Sequence, residues 1–405
     1  MTAVAETPLL REPSFRNLYL ASAVSQFGTQ VGYVAMPLLA VTALNAGPGE
    51  VGLLSALTTI TVLVLGLPAG AWVDRVRRRP VMIATDLVRA VLLVSVPVAW
   101  WLGALTMAQL YGVAIASGVG TLFFDVASQS TVPHLVGRDR LTAANSVLVG
   151  TNAAMDVSGR SAAGVLVTFA GAPVAILLDA LTYLWSALWL RRISTPEPPP
   201  APVPGERLGR QIGEGVRYLF GNRILVAVAV QGGLSNLGFP LCSTLLPVLL
   251  VNDLGQPAWV LGAYLAVGGL GTLAGSSTAH LIGRRLGRGR GVCVVGLATA
   301  PFAFLVPLVG WSVWISAAAW SLLCFRTGMN NVLLVSFRQQ VTPDPMLGRM
   351  NATMRLILMG AVGVGGLLAG LLGEIWGSGA AMWAGASIMA LSWIPIWLSP
   401  LRRET

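Results

Sequence analysis

Twelve apolar stretches follow one another along this chain, and no other feature constrains its fold as much. A membrane-crossing helix needs about 20 mostly apolar residues. The stretches run over about 15–43, 50–73, 80–102, 106–132, 142–168, 172–190, 223–251, 258–282, 290–309, 313–337, 350–373 and 378–399. In hydrocarbon each backbone N–H and C=O must be satisfied without water, which leaves helices as the spanning form for such segments. The predicted fold class is therefore all-α integral membrane, with twelve transmembrane helices. Several stretches exceed the bilayer core, which implies tilt or extension into water. A large soluble core would need charged surface helices. Only 10% of the 405 residues are charged and 55% are hydrophobic, whereas soluble domains run near a quarter charged.

Arginine sets the orientation. All 26 basic residues are arginine and the net charge is +10. They do not stripe a helix face, so nucleic acid is not an expected partner. One set of connections carries Arg75, Arg77, Arg78 and Arg79; Arg138 and Arg140; the arginines from Arg191 to Arg223; Arg284, Arg285, Arg288 and Arg290; Arg338 and Arg349; and Arg402 with Arg403. The alternate connections, near 44–49, 103–105, 169–171, 252–257, 310–312 and 374–377, carry none. Positive charge stays inside, so both termini are expected in the cytoplasm, with an even number of spans.

Residues 195–204 read Thr-Pro-Glu-Pro-Pro-Pro-Ala-Pro-Val-Pro, a stiff linker that cannot be helical. From Glu206 to Phe220, charged and apolar residues alternate at helical spacing, which predicts an amphipathic helix near the membrane surface. The expected organisation is a six-helix bundle over 1–192, a cytoplasmic linker over 193–222 and a second six-helix bundle over 223–405. The halves repeat. Ser25-Gln26-Phe27-Gly28 in the first span matches Ser235-Asn236-Leu237-Gly238 in the seventh. Gly159 and Gly164 in the fifth match Gly365 and Gly370 in the eleventh. Repeated halves around a midplane site are a transporter architecture.

Between the second and third spans, Gly70-Ala-Trp-Val-Asp74-Arg75-Val-Arg77-Arg78-Arg79 resembles the loop signature of the major facilitator superfamily, with Arg77 in place of the usual second glycine. Thr85-Asp86-Leu-Val-Arg89, Phe124-Asp125-Val-Ala-Ser128-Gln129, Ala144-Asn145-Ser146, Leu178-Asp179, Glu214-Gly215-Val-Arg217-Tyr218 and Gly348-Arg349-Met-Asn351 resemble the branch of enterobactin-exporter-like and macrolide-efflux-like permeases. The resemblance covers nearly the whole chain. It implies two pseudo-symmetric bundles, alternating access and export of small amphipathic organic molecules such as drugs, siderophores or natural products. It further implies proton antiport, a bacterial cytoplasmic (inner) membrane location and a monomer. The alternative is an importer or uniporter of a small polar or anionic solute. Two departures matter: Gly159-Arg160 stands where exporters often carry Gly-Pro, and Ser128 where the branch often has arginine.

Ionised side chains within a span cost about 2.5 kcal/mol or more and need a partner, water or a task. Arg89 in the third span can pair either with Asp86 on the same span or with Asp125 in the fourth. Asp156 and Arg160 stand one turn apart in the fifth span, with Asp179 in the sixth at a similar depth; a cluster of the three would suit proton coupling. Asp74 is the expected latch between cytoplasmic helix ends. Candidate substrate contacts are Gln26, Gln30 and Tyr33 in the first span, Gln231 and Asn236 in the seventh, and Arg326, Asn330 and Asn331 in the tenth. Arg326 has no acidic partner on its own helix. Two histidines and no HExxH or GxSxG pattern speak against hydrolytic chemistry. The three cysteines lack CxxC spacing. No enzyme activity, metal or cofactor is expected. The expected partners are the lipid bilayer, a small-molecule substrate and protons.

The topology is testable. Single cysteines at positions 49 and 255 should react with an impermeant thiol reagent from outside intact cells. Labelling at position 287 instead of these would overturn the twelve-span orientation.

Overall fold

The computed structural model describes residues 9–73, 75–137, 140–197 and 208–403. Asp74, Arg138 and residues 198–207 of the expected linker lie outside them. The helices are α1 (Pro13–Leu44), α2 (Pro48–Val73), α3 (Arg78–Trp101), α4 (Met107–Val136), α5 (Leu141–Ala170), α6 (Ala172–Arg191), α7 (Leu208–Gly221), α8 (Arg223–Ser243), α9 (Ala258–Leu286), α10 (Arg288–Ala303), α11 (Val313–Val341), α12 (Asp344–Trp376), α13 (Ser378–Leu391) and α14 (Ile394–Leu398). No strand occurs among the described residues. The twelve expected spans correspond to α1–α6 and to α8–α13 with their extensions. Ten are long and apolar enough to cross a membrane by length and composition. The two that fall short are α5 and α11, which carry Asp156 with Arg160 and Arg326 with Asn330 and Asn331.

Three passes change pitch beside a proline. The seventh pass follows α8 with a π-helical turn, Val248–Asp253, immediately after Pro247. The ninth ends in a 3-10 turn, Val306–Gly310, that contains Pro307. The last is interrupted before α14, where Pro395 occupies the first turn. Proline lacks the N–H that would continue the i→i−4 ladder, so the following turn adopts a different pitch.

By packing, the chain forms two compact units. One comprises residues 1–40 and 61–203, the other residues 41–60 and 204–405. The core of the first gathers Phe15, Leu18, Met82, Phe124, Val132, Val136 and Leu190. At its arginine-bearing end, the Glu197 carboxylate accepts the backbone N–H groups of Arg78 and Arg79, capping the start of α3. That places a negative charge at the positive end of the helix dipole. The Arg79 Nε also donates to Leu190 O at 2.9 Å, tying α3 to α6.

In the second unit, the Gly49 N–H donates to Glu374 of α12 at 3.1 Å, which fastens the start of α2 there. The amphipathic α7 lies against α12 and the end of α11. Glu214 pairs with Arg349, Tyr218 Oη donates to Val341 O at 3.2 Å, and Leu219 is fully buried. Part of its apolar face is thus covered by protein, while Val216 and Phe220 stay exposed. Trp100, Trp101, Trp376 and Trp397 are all exposed near the ends of passes, where an aromatic belt belongs.

The tightest helix pair of the second unit is α9 on α11. A Cβ on Gly271 would lie 3.0 Å from the Ser321 carbonyl carbon. One on Gly275 would lie 2.7 Å from that of Phe325, and one on Gly328 would lie 2.9 Å from that of Thr272. These approaches are backbone to backbone, as at small-residue interfaces in membranes. Gly275→Ala should therefore destabilise by about 1–3 kcal/mol, read as a lower thermal midpoint in detergent. Gly112→Ala on α4, whose Cβ meets nothing within 4 Å, should leave the midpoint unchanged or raise it. Equal midpoints for the two variants would contradict this packing.

Candidate functional site

Wholly within the first unit, α1, α3, α4 and α5 enclose a cavity of about 440 Å³. It runs from the arginine-bearing ends of α4 and α5, at Pro133 and Leu141, to the middle of the helices at Thr29, Arg89 and Asn152. Its polar wall is mostly neutral: Ser22, Ser25, Gln26, Thr29, Thr121, Ser128, Gln129, Asn145 and Asn152. Phe124, Val132, Leu148 and Val149 supply apolar surface. Asp125 and Arg89 are the charged groups of the lining. The volume and mixed wall are those of a small-molecule site.

Behind this wall lies a buried charged group. Asp86 is fully buried and Arg89 is 2% exposed. They stand one turn apart on α3 and form an ion pair through Oδ1 and Nη2. Arg89 Nη1 donates to Thr121 Oγ1 at 3.2 Å. The guanidinium carbon lies 4.1 Å from the centre of the Tyr183 ring and 5.0 Å from that of Phe124. Cation–π attraction then offsets part of the desolvation of Arg89. Thr29 Oγ1 donates to Ser25 O at 2.8 Å and meets Tyr183 Oη at 2.8 Å. With the Thr29 proton so engaged, Tyr183 is the donor in the second bond. Thr29 thereby connects the cavity to the aromatic face that holds Arg89.

Asp179 sits beside this group, 3% exposed. Its carboxylate fits against α1 where Gly28 and Gly32 leave room: a Cβ on Gly28 would lie 2.7 Å from Oδ1, and one on Gly32 would run into Oδ2. Oδ1 has no hydrogen-bond partner among the described residues. Arg89 is the cation acting on Asp179, and Asp125 also acts on Arg89. Among the carboxylates around it, Asp86 forms an ion pair with the guanidinium.

The expected grouping of Asp179 with Asp156 and Arg160 does not form, because α1 packs between them. Arg160 pairs with Asp156 at 2.8 Å, donates from Nε to Gln30 Oε1 at 3.0 Å and lies 5.2 Å from the centre of the Tyr33 ring. Gln30 and Tyr33 therefore belong with this half-exposed pair, while Gln26 lines the cavity. In the second unit, Gln231 donates to Ser235 Oγ at 3.0 Å. Asn236 Nδ2 donates to Leu358 O at 3.1 Å, an interhelical bond. Asn331 is exposed. Arg326 and Asn330 are buried, and Arg326 Nη1, Arg326 Nη2 and Asn330 Oδ1 have no hydrogen-bond partner among the described residues. Asp74 lies outside them.

Sequence reasoning missed Thr29, Thr121 and Tyr183. The spacing did carry signals: Tyr183 follows Asp179 by four residues, and Gly28 and Gly32 are likewise four apart, each pair facing one way on its helix. Which helices face each other is a tertiary fact that spacing does not contain.

Residues 4–404 match the transmembrane secretion effector family. The chain is 26% identical over 389 residues to the multidrug efflux pump Tap of Mycolicibacterium fortuitum, covering 93% of this chain and 92% of that protein. It is 25% identical over 371 residues to the enterobactin exporter EntS of Citrobacter koseri, covering 91% and 87%. Its fold is similar to a bacterial homologue of the iron transporter ferroportin in an inward-facing state, with TM-score 0.75, 17% identity and coverage of 96% and 99%. A bacterial homologue of the human lysosomal transporter Spinster gives TM-score 0.75 at 12% identity, covering 99% and 98%. Helical passes, repeated halves and the full-length family match agree: this chain is a multi-pass membrane transporter of the transmembrane secretion effector family, within the major facilitator superfamily, and not an enzyme.

Proposed function

We propose that this transporter exports small amphipathic organic molecules from the cytoplasm across the bacterial inner membrane, in exchange for protons. The observation that carries the reading is the cavity of the first unit, with its neutral hydroxyl and amide wall, its apolar patches and its buried Asp86–Arg89–Tyr183–Asp179 group. Such a wall accepts hydrogen-bonding groups without demanding one fixed charge, which suits drugs, siderophores and natural products. The printed names of the relatives, a multidrug efflux pump and an enterobactin exporter, support the same class. The cavity begins at the arginine-bearing helix ends, the side that charge asymmetry assigns to the cytoplasm.

Asp179 carries the proton. With Asp86 and Asp179 ionised, the two carboxylates and Arg89 sum to one negative charge; one proton brings the group to neutrality. Neutral groups cross a low-dielectric interior at far lower cost than charged ones, so protonation favours the rearrangement in which the two bundles, 1–192 and 223–405, rock about the midplane. Substrate touching Thr29 or Arg89 competes for the contacts that hold Tyr183 and Arg89 in place. Occupancy and protonation thereby oppose each other, as antiport needs. Asp125, open to the cavity, meets cationic parts of a substrate. Asp74 latches the cytoplasmic helix ends, and the protein works as a monomer.

The test uses inside-out vesicles with a substrate panel and an imposed pH gradient. Wild-type protein should accumulate amphipathic compounds when the interior is acidic. Asp179→Asn should lower gradient-driven uptake at least about tenfold, equivalent to 1.4 kcal/mol, while leaving the thermal midpoint near wild type. Tyr183→Phe keeps the ring under Arg89 and loses the bond to Thr29, so it should weaken coupling while substrate binds as tightly as to wild type or more tightly. Unaltered gradient-driven uptake in Asp179→Asn would remove that residue as the proton carrier. Uptake without any gradient dependence in wild type would remove antiport.

A further inference from the structure

In the second unit, α11 presents a buried stripe at alternating three- and four-residue spacing: Ala319, Leu323, Arg326, Asn330, Leu333 and Phe337. Its other face, through Ser321, Phe325 and Gly328, packs on α9. The stripe is apolar except at its centre. There Arg326 is 1% exposed and Asn330 is 7% exposed, one helical turn apart on the same side. Both terminal nitrogens of Arg326 lack a hydrogen-bond partner among the described residues, and so does Asn330 Oδ1.

Among the described residues of this unit, no carboxylate forms an ion pair with Arg326. The acidic side chains described there stand elsewhere: Glu50 opens α2, Glu214 lies in α7, Asp253 closes the π turn and Glu374 stands in the last turn of α12. Arg326 lies about 20 Å along α11 from either end, at 1.5 Å per residue. A guanidinium keeps its charge at any cellular pH, and an uncompensated buried ion costs several kcal/mol. Arg89 in the first unit has a carboxylate and two aromatic rings; Arg326 has none of these among the described residues. A charge held this way, with its planar donor fork unused, is set up for a counter-ion that comes from outside the chain.

We propose that Arg326 and Asn330 form an anion-binding site inside the second unit, selective for a single weakly hydrated monoanion such as a carboxylate or a halide. The forked Nη donors bind the anion. A half-turn of the Asn330 amide exchanges its unpartnered oxygen for Nδ2, a further donor to the same ligand. The apolar residues above and below strip the ligand of water, so strongly hydrated dianions such as sulfate are excluded. Two sources share this chemistry: a chloride ion from solution, or the ionised acid group of a transported molecule. The second source rests on the export reading; the site itself does not.

The experiment is equilibrium binding of labelled chloride and labelled benzoate to the purified full-length protein in nanodiscs, at constant ionic strength set with sulfate. Saturable binding of about one anion per chain is expected. Arg326→Gln should weaken it at least about tenfold. Arg326→Lys keeps the charge and loses the fork, so it should fall between. Binding of benzoate alone assigns the site to acidic cargo, binding of chloride alone assigns it to an inorganic ion, and mutual competition assigns it to both. If Arg326→Gln does not fold, Arg326→Lys and Asn330→Leu carry the test, and both should bind more weakly. Absence of saturable binding by either anion, full competition by sulfate, or wild-type affinity in these variants would overturn the proposal. Because binding is read without transport or a pH gradient, its failure is distinct from failure of proton coupling.

Discussion

Hydrocarbon does not solvate charge, and the interior of this protein is organised around that constraint. An ionised side chain among apolar helices must find a counter-charge, a polarisable face or an aqueous opening. Three arginines within the spans meet the requirement in three ways. Arg89 is shut in with Asp86 and held between aromatic rings. Arg160 keeps partial exposure and pairs with Asp156. Arg326 is buried, and its terminal nitrogens have no hydrogen-bond partner among the described residues. The first arrangement stores a charge beside a cavity, the second lets water and an amide share the cost, and the third leaves an unfilled donor set.

Glycine gives these charges their places. The Asp179 carboxylate reaches α1 only because positions 28 and 32 have no side chain. Without that slot the carboxylate would be displaced from the neighbourhood of Arg89. The same freedom lets α9 and α11 approach backbone to backbone, which leaves Arg326 and Asn330 on the face of α11 turned away from α9, where both are buried. Local sequence thus acts on function through packing: a missing methyl on one helix fixes where a charge sits on another.

Much of this was legible beforehand. Apolar runs located the helices to within a few residues, because the bilayer imposes a length that soluble folds do not. Helical spacing set Asp156 beside Arg160, and depth left Arg89 a choice between Asp86 and Asp125; the structure pairs Arg160 with Asp156 and Arg89 with Asp86. The Asp179 environment was not legible: similar depth along the chain suggested Arg160 as its neighbour, but depth says nothing about which helix stands between. The roles of Thr29 and Tyr183 were hidden for the same reason, since a hydroxyl in an apolar run satisfies its own helix as readily as a neighbour. Asn236 illustrates the converse, an amide read as a substrate contact that spends a donor on the carbonyl of Leu358.

In the proposed antiport, the cavity and the buried carboxylate group of the first unit compete for one rearrangement, so that substrate and proton displace each other. Linkage makes that reciprocal: whatever protonation does to substrate affinity, substrate does to proton affinity. The most direct measurement is proton release on binding. Purified wild-type protein in weakly buffered detergent solution, carrying a pH-sensitive dye, would be titrated with an amphipathic compound that it transports. Release approaching about one proton per molecule bound is expected, with substrate affinity that strengthens as pH rises. Binding with no proton release and with affinity independent of pH would contradict the proposed antiport.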